Sequence, residues 1–201
     1  MKKVFLLIVL CITVASTSFA QKVKLEEGDI SILKGQTSLN IQFTYDDMTV
    51  GEMSEIEYVK KKREEKNKKE NGSGDKWVEE WIGNRTKRFQ PKFIELFDNQ
   101  KTPFKLTEND ESVPYTLIFH TVFTEPGFNV GIVRSNANIN AFIYVVETQN
   151  PENKLAVISI KKAPGRDIMG FDFDAAYRIA ESYATSGKSF GKFLKKHKAL
   201  K

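Results

Sequence analysis

Residues 115–162 constrain the fold more than any other stretch of this 201-residue chain. The first run, residues 115–124, is almost entirely aromatic, β-branched or threonine, the residue types that suit a pleated, half-buried surface. Alternation puts Tyr115, Leu117, Phe119, Thr121 and Phe123 on an apolar face, and Thr116, Ile118, His120, Val122 and Thr124 on a mixed one. Glu125-Pro126-Gly127 stops the run, because proline cannot donate to a ladder and glycine tolerates a turn. A second run at 139–147 alternates Ile139, Ala141, Ile143 and Val145 with Asn140, Phe142, Tyr144 and Val146. A turn cluster at 149–153 separates it from a short apolar run at 155–160. Three runs with short connections predict an antiparallel meander. Apolar residues on both faces predict a larger sheet, covered by helices on at least one side.

The fold class expected is therefore α+β. A single domain at 21–201 carries a mixed, mainly antiparallel sheet of about five strands packed against helices. Residues 1–20 read as a secretory signal peptide. Lys2-Lys3 is the positive start, 4–14 the apolar segment, and Ser18 and Ala20 are the small residues before a cleavage point at Gln21. No later segment approaches a membrane span. The only cysteine, Cys11, falls inside this leader with Leu10 before it, which does not suit lipidation. The mature chain is thus expected to lack cysteine, and with it disulfides and thiolate chemistry. The formal charge of +5 becomes +3 once Lys2 and Lys3 leave, too mild a balance to argue for nucleic acid.

In chain order, 21–27 reads as a frayed terminus, 30–34 as a short strand and 38–46 as a half-buried strand. Ser54 is the expected N-cap of a helix with Glu55 and Glu57 in its first turn. That helix loses its apolar residues after Val59, so 60–74 is expected to be a charged helix end and mobile loop. Asp75 is the expected cap of a second helical stretch. In it Trp77, Val78, Trp81, Ile82, Phe89, Phe93, Leu96 and Phe97 repeat at helical spacing, with bends expected near Gly83-Asn84 and Pro91. Paired tryptophans serve as ligand platforms, but beside Val78 and Ile82 they read first as core. Residues 104–106 make a short edge strand. Asp172 or Asp174 starts a helix that Gly187 is expected to end, with a further short helix behind it.

Most chemistry finds no motif. His120 and His197 are isolated from any zinc-ligand spacing, and no G-x-S-x-G elbow occurs. Gly187-Lys188-Ser189 imitates a P-loop end but has Ser182 where a glycine belongs. Asp172 and Asp174 lack the later ligands of a calcium loop. No cofactor or metal is expected, and no catalytic residue is assigned. Two connections remain. The 126–137 loop offers Phe128, Asn129 and Arg134. The 161–174 segment offers Lys162, Arg166 and Asp167, where backbone amides and a helix start suit an anion.

Gly28-Asp29, Leu33-Lys34-Gly35, the Phe123 to Gly131 segment, Pro164 to Asp167 and Met169 to Asp174 resemble an uncharacterised family of exported Bacteroidetes proteins. The order of elements is more loosely similar to envelope domains related to the N-terminal domain of TolB. The resemblance implies export and assigns no activity. The expected function is a periplasmic or extracellular envelope protein, with outer-membrane association open, that binds an envelope partner or small ligand without catalysis. The alternative is a hydrolase of glycans or peptides acting through scattered carboxylates and His120. A third reading has the 60–69 and C-terminal lysines bind anionic polymers.

Overall fold

The computed structural model describes residues 21–130, 133–165 and 174–197, and the side chains of Asn129, Val130, Val133 and Arg134 are not among what it describes. The elements run β1 (Lys22–Gly28), a 3-10 turn (Ile30–Leu33), β2 (Ser38–Thr44), β3 (Thr49–Val50), β4 (Met53–Ser54) and α1 (Glu55–Asn67). Then come α2 (Ser73–Asn84), a π-helical turn (Arg85–Phe89), α3 (Gln90–Asp98), β5 (Lys105–Glu108) and β6 (Tyr115–Glu125). The chain closes with β7 (Phe128–Val130), β8 (Val133–Ser135), β9 (Ala137–Glu147), β10 (Asn150–Gly165) and α4 (Ala175–Lys196). The main sheet is ordered β1-β10-β9-β6-β2-β5, with β3 beside β6 and β4 beside β3. β7 and β8 pair separately as a hairpin.

The α+β class and the meander of β6, β9 and β10 hold, all three pairing antiparallel. The sheet has eight strands rather than about five. β1 explains part of the difference. Its Val23 and Leu25 alternate with Lys22, Lys24 and Glu26 and pair with β10, so a segment that looked like a frayed end forms a lysine-bearing edge strand. Residues 30–33 turn as a 3-10 helix instead of a strand, burying Ile30 and Leu33 on the face that this tight helix aligns at i and i+3.

The inner face is set by register. Leu117, Phe119 and Thr121 on β6 stand opposite Val145, Ile143 and Ala141 on β9, and all are buried. A bulge after Thr121 then shifts the phase, so Thr124 turns inward and Phe123 does not, contrary to simple alternation. α3 and α4 cover this face. Phe119 meets Phe93 at 4.7 Å and Tyr183 at 5.5 Å between ring centres. The outer face carries half-buried Ile118, His120, Phe142 and Tyr144.

β10 runs on to Gly165 where the sequence suggested a loop beginning at Lys161. The continuation passes a bulge at which Lys162 takes φ 54°, its amide donating to Asn140 Oδ1 at 2.7 Å. Pro164 is tolerated because β1 pairs no further than Lys161, leaving that edge free of ladder bonds. α4 likewise continues through Gly187 to Lys196. The glycine is there for proximity: a Cβ on Gly187 would lie 2.1 Å from the carbonyl oxygen of Phe93 on α3. Tight helix packing, and not a C-cap, explains this residue.

Candidate ligand cleft

The starting point is the capping of α1. Ser54 and Glu57 form a reciprocal capping box, the Ser54 hydroxyl accepting from the Glu57 amide at 3.3 Å and the Glu57 carboxylate accepting from the Ser54 amide at 3.1 Å. The helix then persists through its charged half to Asn67. α2 returns against it from Ser73, one turn earlier than an Asp75 cap implies. Asp75 instead accepts from Arg63 Nε at 2.6 Å and Asn67 Nδ2 at 3.2 Å. Asn67 Oδ1 accepts from the Gly74 amide at 2.7 Å, and a Cβ on Gly74 would strike the Arg63 carbonyl at 2.1 Å. The result is a close helical hairpin.

The π-turn then inserts its extra residue between α2 and α3. It points Arg85 back across the base of the hairpin. Glu55 receives both oxygens' worth of bonds from Arg85 Nη2, each at 2.6 Å, and a third from Trp81 Nε1 at 2.7 Å. The Arg85 guanidinium also lies 4.1 Å over the Tyr45 ring. This cluster fixes Trp81, which is 8% exposed, as core. Trp77 stacks on it at 5.4 Å and remains half-buried, with Tyr58 beside both at 6.0 and 5.4 Å.

These three rings floor a cleft of about 550 Å³. Lys62 and Lys66 line it from α1, Lys87 and Arg88 from the π-turn, and Pro126, Gly127 and the start of α4 close the far side. Lys62 pairs with Glu65 at 3.2 Å. Arg88 lies 4.1 Å over the Tyr177 ring and 3.9 Å from Asp174, which caps α4 by accepting from the Ala176 amide. Among the described residues neither Lys66 nor Lys87 has a salt-bridge partner. Among the described residues the remaining acidic lining group is Glu80. Burial raises the Tyr58 phenol above its ordinary range, the Glu125 and Glu65 carboxylates adding to the effect, so it stays a neutral hydroxyl at physiological pH.

The two connections singled out in the sequence meet at this end of the sheet, through their roots. Arg178 of α4 is 3% exposed and donates to the carbonyls of Pro126 and Gly127, both at 3.0 Å. Gly165 packs so close beneath that a Cβ would sit 1.8 Å from the Arg178 carbonyl oxygen. Of the predicted site residues, Phe128 is 47% exposed at the start of β7, Asn129 pairs with Arg134 across the β7–β8 hairpin, and Lys162 sits on the β10 bulge. None of these lines the cleft among its described residues. Arg166 and Asp167 lie outside the described residues.

Of the groups in the hydrolase reading, Asp46 and Asp47 share the lining of one cleft with Glu55, and His120 is not part of that lining. His120 is on the outer face, its Nδ1 2.9 Å from the Thr44 hydroxyl. Asp46 and Asp47 follow β2, near Glu55, which Arg85 and Trp81 already occupy. A larger hollow of about 870 Å³ lies on the outside of the α1–α2 hairpin along Ile56, Val59, Val78 and Ile82, but it is open, Ile56 being 82% exposed. The smaller cleft has the converging polar groups that orient a ligand.

No family model matches the chain, and no curated protein matches it in sequence. Among solved structures it is similar to two structures of the PelC dodecamer from Paraburkholderia phytofirmans, one of them a point variant, each at 9% identity over 83% of this chain and 96% of the PelC chain. The TM-score of each is 0.38, too low to carry an inference about assembly or function.

Proposed function

We propose that this chain is an exported, non-enzymatic binding module of the cell envelope that takes a small ligand, or a short segment of a partner, in the cleft between the α1–α2 hairpin and the start of α4. The leader-like residues 1–20 and the likeness to exported Bacteroidetes proteins support export. The observation that carries the binding reading is the cleft itself: a half-buried indole on an aromatic stack, with the cations Lys66 and Lys87 unpaired among the described residues. The supporting groups are held by packing and by the Glu55–Arg85–Trp81 cluster, so little ordering is needed when a ligand arrives.

The test expresses the full chain with its own leader in a Gram-negative host and recovers it from the periplasm. Amino-terminal sequencing should begin at Gln21. Native mass spectrometry after incubation with periplasmic extract should show an added mass on the wild type and none on a folded Trp77→Ala variant. An intact leader would remove the export reading. An added mass retained equally by the variant, or no added mass on the wild type, would remove the cleft reading.

A further inference from the structure

Building on the cleft as the binding site, we infer that its ligand is an acidic saccharide: a sugar ring lying on Trp77, with its carboxylate or other anionic groups reaching the flanking cations. The sequence places seven Lys or Arg residues at 60–69 among glutamates, which reads as a uniformly solvated surface. Folding sorts them. Lys62 and Lys66 stand one turn apart on the face shared with Tyr58 and line the cleft, while Lys60 and Lys68 line the opposite side of the hairpin. Lys87 and Arg88 come from the π-turn across the floor. Two rows of cations therefore flank one aromatic surface.

The two rows differ in kind. Arg88 is held by the Tyr177 ring below it and by Asp174 beside it, so its planar fork is oriented before a ligand binds. Lys66 and Lys87 are flexible point charges that adapt to an anion's position. Against them, among the described residues, the cleft offers Glu80, and an Asp174 already used as helix cap and Arg88 partner. A cationic ligand would meet Lys66 and Lys87, which no acid among the described residues pairs. A neutral ring would stack yet leave Lys66 and Lys87 uncompensated. A bare inorganic anion would leave the Trp77 face uncovered. An apolar ring face that carries negative charge at its edge satisfies both the floor and the walls, and acidic sugars have that form.

Isothermal titration calorimetry on the exported product tests this with three probes: the galacturonic acid trimer, the same trimer fully methyl-esterified, and inorganic phosphate. The acidic trimer should bind, the ester should bind at least tenfold more weakly, and phosphate should not compete at equal concentration. Lys66→Gln with Lys87→Gln should weaken the acidic trimer by roughly tenfold or more, and raising salt should weaken it further. Lys60→Gln with Lys68→Gln, on the other side of the hairpin, should leave binding unchanged. Equal binding of acid and ester would overturn the acidic class while leaving the cleft as a site. Competition by phosphate would overturn the role of the aromatic floor. No binding of any probe, alongside a Trp77-dependent added mass from periplasmic extract, would overturn the saccharide assignment alone. No binding together with no added mass would take the cleft reading with it.

Discussion

Gly187 separates two explanations of the same residue. In an isolated helix, alanine is favoured over glycine by about 1 kcal/mol, so Gly187→Ala on propensity alone should stabilise α4. The structure opposes this. The new Cβ would lie 2.1 Å from the Phe93 carbonyl oxygen and 2.9 Å from its carbon, both of them backbone atoms of α3 that cannot swing aside. Separating two packed helices to accept it belongs at the upper end of overpacking costs, about 3 kcal/mol. Subtracting the propensity gain leaves a net loss of about 2 kcal/mol. In urea, with a slope of about 2 kcal/mol/M for a domain of this size, the midpoint should fall by about 1 M. Gly83→Ala on α2 is the control, since its nearest neighbour is the flexible end of Lys87 at 3.6 Å. It should gain about 0.5–1 kcal/mol. Gly187→Asn adds a further contrast. Were Gly187 a left-handed helix cap, asparagine would be tolerated better than alanine. In a helix–helix contact the bulkier asparagine must be worse. Urea midpoints followed by circular dichroism decide it, and Gly187→Ala at or above wild-type stability, or Asn milder than Ala, would refute the packing argument.

Three other outcomes follow from the hydrogen-bond chemistry. Glu55→Gln removes the counter-charge of Arg85, whose side chain is 19% exposed, and should cost about 1.5–3 kcal/mol by urea midpoint; a loss under about 0.5 kcal/mol would show the cluster to be dispensable. Tyr183→Phe should cost about 1–2 kcal/mol by leaving the buried Thr121 hydroxyl without its 2.7 Å partner, whereas adding Thr121→Val should recover most of that loss. Acidification should loosen the α1–α2 hairpin. The Arg63 bond foremost, then that from Asn67, holds the Asp75 carboxyl below its ordinary value, and the Ser54 hydroxyl and amide do the same for Glu57. Groups lowered in the folded state add stability that is complete above the unfolded carboxyl values and is lost as pH falls through the folded ones. The protection of amides in residues 55–84, taken relative to their intrinsic exchange rate at each pH, should therefore fall below about pH 4, and Asp75→Asn should flatten that dependence.

The elements that sequence shows best are those whose local preference and tertiary role agree. β6 and β9 alternate because one face is buried, and Ser54 and Asp174 cap because a short polar side chain precedes a periodic run. The misread elements are those in which a distant neighbour decides. β1 is a strand because β10 lies beside it, β10 outlasts its apolar run because β9 continues, and Gly187 is helical because Phe93 is close. The spacing of Gly187 and Gly191 by four, following Ser182 and Ser186, was the available sign of a small-residue face on α4.

The cleft was hidden for a related reason. Its cations come from a charged run and a π-turn, and neither shows in periodicity which face it presents. In α1 the answer rests on Tyr58, which packs with Trp77 and Trp81 and so fixes the helix rotation. Once that ring is anchored, Lys62 and Lys66 follow it at four-residue intervals into the cleft, and Lys60, Glu64 and Lys68 go to the other side. Replacing Tyr58 by alanine should therefore weaken ligand binding through the lysines as well as the floor. The distinguishing measurement is salt dependence. If Tyr58 supplies only contact area, Tyr58→Ala lowers affinity with an unchanged salt slope. If it sets the rotation that aims Lys62 and Lys66, the slope shrinks with the affinity.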